Sequence, residues 1–290
     1  MALTGNILTP AGWIAGTVAF DAAIGAVSPH AVAPDAPSIM PGFVDLHVPG
    51  GGGGDVMAGA DAVRLCARTH ARHGTTSFLP TPITAPPEEL ASAVDGIAAA
   101  AADRRKGEAR ILGAHLEGPY LNPDRLGAQP PFPQVPDRAA IDRLCDRIAV
   151  RLVTLAPEVD PGHALIRHLA ARGIAVQIGH SGASYEETCA ALADGARGFT
   201  HLFNAMTPLH HRAPGVVGAA LAHGEYAALI PDLVHVHGGA ILAALRSIPR
   251  LFGVTDATAA AGMPDGTYSL GRQTVRKQGA SVFLVDGTLA

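Results

Sequence analysis

From Pro41 onward, eight short apolar runs alternate with segments of helical length. The runs are Gly42–His47, Thr75–Pro80, Ala109–Glu117, Val150–Leu155, Ile174–Ile178, Gly198–His201, Ala227–Ile230 and Leu251–Thr255. Ala-, Leu- and Arg-rich stretches lie between most of them, at 61–72, 87–102, 137–147, 162–171, 184–194 and 237–246. Strands that alternate with helices form βα units on a parallel sheet. Eight such units predict an α/β fold, a TIM-like (β/α)8 barrel, which typically takes about 250 residues. Residues 41–290 match that size. Residues 1–40 break the pattern. They contain short strands (Asn6–Leu8, Trp13–Phe20, Ile24–Val27) separated by Pro and Gly. Such strands cannot bury a face alone, so they form a separate, partial β segment.

A doubly wound sheet is the structural alternative. It requires a glycine fingerprint directly after the first strand and a helix starting at once. Gly50–Gly54 do follow the first strand, but the run PGGGGGDVM lacks the Gly-Lys-Ser/Thr of a phosphate loop. Any polyglycine run matches GxGxxG by accident. The glycines therefore read as a flexible loop at the mouth of a site.

Composition excludes several function classes. With 48% hydrophobic and 16% charged residues, the chain can bury a large core and is not disordered. Its net charge of −4 argues against a general binder of nucleic acid or anionic membranes. The three cysteines, Cys66, Cys145 and Cys189, stand far apart. They give neither a disulfide framework nor a thiolate zinc site. The N-terminus does not read as a signal peptide, and no uncharged apolar run reaches the roughly 20 residues of a membrane span. A cytoplasmic setting is expected.

Chemistry gathers at the C-terminal ends of the expected strands, which share one rim in a parallel barrel and carry its active site. His47 ends the first run. His115 and Glu117 end the third, His180 follows the fifth, His201 ends the sixth, His235 follows the seventh and Asp256 follows the eighth. Each histidine alone is as well explained by a structural hydrogen bond. Their joint placement is not. Glu117, His180 and His201 supply one carboxylate and two imidazoles, a set that suits one divalent metal ion, zinc above all. Iron, manganese and cobalt accept the same ligands. A metal so held acidifies water. Asp256 then remains to take a proton and return it to a leaving group. His30, His70, His73, His163, His168, His210, His211, His223 and His237 carry a structural reading.

The motifs PGFVDLHVPGGGG, GTTSFLPT, HLEGPYLN, VTLAPE, GHSGAS, THLFNAM and VTDATAAAG occur in that order. In this set the chain resembles the amidohydrolase superfamily and, within it, the N-acetylglucosamine-6-phosphate deacetylase family. The resemblance runs from Pro41 to the last residue. It implies hydrolysis of a small amino-sugar phosphate at its acetamide. It also implies metal ligation by Glu117, His180 and His201, acid–base catalysis by Asp256, and carbonyl polarisation with sugar contact by His235. Asn204 and Ala205 correspond to residues that hold the sugar phosphate. Arg212 corresponds to an arginine that reaches the phosphate, often across a homodimer interface. A guanidinium suits phosphate.

Three departures qualify the resemblance. His47-Val48-Pro49 replaces a His-x-His pair, so one tightly held metal is expected, with His47 assisting at most a weak second one. Gly127-Ala128-Gln129-Pro130 stands where the family often has Gly-Ala-His; Ala128 and Gln129 are expected to contact substrate, but Gln129 carries no charge. The chain also reaches Ala290 before the family's final helix and strands. Residues 1–40 therefore read as part of a β-sandwich whose remainder lies beyond the fragment. The competing readings are a deacetylase of N-acetylgalactosamine 6-phosphate, a cyclic-amide hydrolase, and an inactive sugar-phosphate-binding paralogue.

Overall fold

The computed structural model describes residues 1–290 and divides into two compact units, Met1–Phe43 and Val44–Ala290. The first unit is a four-stranded sheet of β1 (Ala2–Thr9), β2 (Gly12–Phe20), β3 (Ile24–Pro29) and β4 (Ser38–Ile39), in the order β3-β2-β1-β4. β1 and β2 form an antiparallel hairpin, with Ile7 opposite Ile14 and Leu3 opposite Val18. The Thr9 hydroxyl closes its turn by donating to Gly12 O at 2.7 Å.

In the second unit all eight expected strands occur. The first is β5 (Phe43–Val48). A hairpin of β6 (Gly50–Gly51) and β7 (Gly54–Asp55) follows it, then α1 (Ala60–Arg72). Next come β8 (Thr75–Pro80) and α2 (Pro87–Ala102). The third expected strand is split into β9 (Arg110–Ile111) and β10 (Ala114–Glu117) by Gly113, whose φ of 136° bends the chain. α3 (Arg138–Cys145), β11 (Val150–Leu155), α4 (Ala164–Ala171), β12 (Ala175–Ile178), α5 (Tyr185–Ala193) and β13 (Gly198–Phe199) continue the alternation. It ends with α6 (Gly215–His223), β14 (Tyr226–Leu229), α7 (Gly238–Ser247) and β15 (Arg250–Gly253).

β10 to β15 form one parallel sheet in sequence order, and β5, β8 and β9 form its neighbour. Two seams join them into the barrel. Glu117 N–H donates to Pro82 O at 3.2 Å, and Asp256 N–H donates to His47 O at 3.1 Å. The Asp45 carboxylate also accepts from Thr255 N–H at 3.3 Å. Leu116, Val153, Leu155, Val176, Ile178 and Phe199 are fully buried. Each contributes roughly 1.5–3 kcal/mol by leaving water. Strands covered on both faces need such near-continuous apolar runs.

Two features differ from the sequence reading. After β15 the chain forms three antiparallel strands, β16 (Gly266–Leu270), β17 (Gln273–Gln278) and β18 (Ser281–Leu284). Each buries one apolar residue, Leu270, Val275 and Leu284 in turn, in a segment that the sequence reading assigns to the barrel. The polyglycine run is also no free loop. Its amides donate to the segment after β15: Gly50 to Ala257 O, Gly52 to Ala261 O and Gly53 to Ala259 O, at 2.6–2.8 Å.

Candidate active site

The C-terminal ends of the parallel strands open into a cavity of about 400 Å³. Glu117, His180, His201, His235 and Asp256 all face it, as do Ala128, Gln129, Asn204 and Ala205. Residues from five different strand ends thus meet at one place. His180, His201 and Asp256 have φ values of 49°, 30° and 48°. Non-glycine residues in this left-handed region are strained and cluster at functional sites. Here the turn lifts each side chain off its strand end toward the others.

Glu117 is the centre. Its Oε1 lies 3.1 Å from His180 Nε2 and 3.0 Å from His201 Nε2, and the two Nε2 atoms are 3.0 Å apart. All three side chains are buried. His180 Nδ1–H donates to Arg125 O at 2.9 Å, which leaves a lone pair on Nε2. His201 Nδ1 is buried without a hydrogen-bond partner. Two lone-pair nitrogens and a carboxylate oxygen, crowded in a dry place, repel one another unless a cation or protons lie between them. A divalent ion fits this donor set, and the carbonyl behind His180 is the support that a ligating imidazole needs. Glu117, His180 and His201 could therefore hold a metal ion.

Without a cation, protons take that place: burial would lower the His180 imidazole, but Glu117 beside it raises it. Burial would raise the Glu117 carboxyl, but His47, His180 and His201 outweigh it and hold it well below the usual range. Burial would lower His47, yet the Asp256 and Glu117 carboxylates raise it to about 9. His47 Nε2 sits between them, 3.3 Å from Glu117 Oε2 and 3.2 Å from Asp256 Oδ1. His115 faces the other way. Its Nδ1–H donates to Leu46 O at 3.0 Å and its Nε2 lies 2.7 Å from Thr154 Oγ1. Burial, then the neighbouring His47, hold it well below the usual histidine value.

Other expected residues take individual positions. Gln129 reaches the cavity wall, but both ends of its amide are engaged with protein. Nε2 donates to Glu117 Oε2 at 2.5 Å, and Oε1 accepts from Thr84 N–H at 2.8 Å. Asn204 folds its Nδ2 back to His201 O at 3.1 Å. Arg212 does not face the cavity; it is exposed, with Nη1 2.7 Å from His211 Nε2.

Three residues went unnoticed in the sequence. Asp232 accepts from His235 Nδ1–H at 2.7 Å and from His235 N–H at 2.8 Å. The Asp-x-x-His spacing was the available signal. Glu158, in the VTLAPE motif, accepts from Asn122 Nδ2, Ser181 Oγ and Gly182 N–H at 2.5–2.8 Å and so fixes the loop that carries His180. Arg125 is the one arginine or lysine on the cavity wall. It ends a short 3-10 helix, Pro123–Arg125, and nothing local marks it.

Comparison with known proteins fits this geometry. The sequence profile of the amidohydrolase family matches residues 38–249. The N-acetylgalactosamine-6-phosphate deacetylase of Escherichia coli O157:H7 is 40% identical over 298 aligned positions, covering 98% of this chain and 78% of that protein. The N-acetylglucosamine-6-phosphate deacetylase of Vibrio furnissii is 43% identical over 260 positions, 87% of this chain and 64% of that protein. The crystal structure of N-acetyl-D-glucosamine-6-phosphate deacetylase from Mycobacterium smegmatis superposes with a TM-score of 0.90 at 35% identity. It covers all of this chain, which spans 80% of that one. No helix is long and apolar enough to cross a membrane.

Proposed function

The chain belongs to the amidohydrolase family, and from that premise we propose that it hydrolyses the acetamide of N-acetylglucosamine 6-phosphate to acetate and glucosamine 6-phosphate. One observation carries the reading: the tight Glu117–His180–His201 group opens into the same cavity as Asp256. We take zinc as the metal, one ion per chain, held by Glu117, His180 and His201. A divalent ion there supplies Lewis acidity and makes water a better nucleophile.

The chain's own residues do the rest. Asp256, its side chain 23% exposed, takes a proton from the attacking water. As the C–O bond forms and the C–N bond breaks, it gives that proton to the departing amine. His235 polarises the acetamide carbonyl. Its Nδ1–H is committed to Asp232, so Nε2 donates to the developing oxyanion only when the ring is protonated. Ala128, Asn204 and Ala205 line the part of the cavity assigned to the sugar phosphate, and Arg125 supplies the local cation. Gln129 lines the same cavity and also holds Glu117. Arg212 lies outside its own chain's cavity, which suits a homodimer in which it serves the second copy. Three free cysteines suit the reducing cytoplasm.

A second reading, N-acetylgalactosamine 6-phosphate as substrate, is favoured by the Escherichia coli relative that covers nearly the whole chain. Acetate release from the two epimeric sugar phosphates and from unphosphorylated N-acetylglucosamine separates the readings. The expected result is fastest turnover of the phosphorylated glucosamine epimer, loss with a chelator, and recovery with zinc. Full turnover in chelator contradicts the metal. Faster turnover of the galactosamine epimer selects the second reading.

A further inference from the structure

The polyglycine hairpin has no part in the chemistry above, and none of its five glycines lines the cavity. Yet it touches the segment that carries Asp256. Gly50 N–H donates to the carbonyl of Ala257, the next residue after Asp256, at 2.6 Å. On the other side, Asp256 N–H donates to His47 O at 3.1 Å. Asp256, in its strained, left-handed turn, is thus held at its own N–H and, one peptide further on, through the carbonyl of Ala257. The clamp has an anchor. His70, on α1, donates from Nε2 to Gly50 O at 3.0 Å. Its ring is buried and stacks on Phe78 at 6.0 Å with 13° between the planes. The fit leaves no room for a side chain at Gly50 or Gly52. A Cβ on Gly50 would stand 2.5 Å from Ala259 N, and one on Gly52 would stand 2.0 Å from Thr69 Oγ1.

We infer that His70 is a positioning residue for Asp256, acting through the backbone of Gly50. The inference rests on the reading of Asp256 as the proton carrier. The donor at Nε2 fixes the hairpin against α1, and the hairpin fixes the turn that aims the carboxylate. Small misplacement of a catalytic group costs up to about a hundredfold in rate.

The test compares zinc-loaded wild type with His70→Phe, which keeps the ring stack and loses the donor, and His70→Gln, which restores a donor. His70→Phe is expected to lower kcat about tenfold or more. KM, zinc content and melting temperature stay near wild type, and His70→Gln recovers most of the loss. If His70→Phe does not fold, His70→Asn, too short to reach Gly50 O, takes its place. Unchanged kcat overturns the inference. So does a loss that tracks lost zinc or lost folded protein, or one that Gln does not recover. Asp256→Asn is assayed alongside. If it retains wild-type turnover, the reading of Asp256 falls, and the inference about His70 falls with it.

Discussion

The two sides of the cavity rim are held by different means. On one side Glu117, His180 and His201 are buried and touch one another, and each constrains the next through its side chain. On the other side Asp256 stays partly open; its carboxylate pairs with His47 Nε2 at 3.2 Å, and its turn is fixed by backbone: its own N–H, the carbonyl of Ala257 and the amides of the glycine hairpin. The difference follows from what each side does in the proposed reaction. Holding a cation requires charges taken out of water and compensated by each other. Carrying a proton requires a carboxylate that water and substrate can reach, so apart from its His47 contact its precision comes from the main chain behind it.

Variants can break this division or sharpen it. Glu117→Gln removes the one negative charge in the cation group. It should abolish zinc uptake and lower acetate release by roughly a thousandfold or more, since several kcal/mol of stabilisation leave with the cation. Elemental analysis beside the acetate assay checks both, and a zinc-replete Gln variant would contradict the division. Asp232→Asn acts on the open side. Without its carboxylate His235 loses its orienting partner, and kcat should fall about tenfold to a hundredfold with zinc content intact. Gln129→Leu frees Glu117 Oε2 and should weaken zinc binding by about 10–100-fold, measured by competition with a chelator of known affinity. Gly52→Ala meets the Thr69 hydroxyl and a left-handed φ of 63°. It should cost about 1–3 kcal/mol of stability in chemical denaturation while leaving zinc affinity unchanged.

Much of this was legible in the sequence because parallel strands announce themselves. Val150–Leu155 is an apolar run of strand length, and its end points to the rim. Strand ends therefore located Glu117, His180, His201, His235 and Asp256 without coordinates. What the sequence hid is the pairing of groups far apart in the chain. Nothing local links Gln129 to Glu117, His70 to Gly50, or Asp45 to the N–H of Thr255. The glycine run misled for a related reason. Five glycines signal conformational freedom only when nothing packs on them; here the missing side chains let three segments approach closely. β16 to β18 are hard to read because one buried residue per strand gives a weak signal beside the barrel strands.

The division of labour on the rim is tested most directly in one variant, Asp256→Asn. Titration of the metal-free protein with zinc should show one ion bound per chain at wild-type affinity, while acetate release from N-acetylglucosamine 6-phosphate is lost. A variant that fails to bind zinc, or one that binds it and still releases acetate at the wild-type rate, would contradict the account.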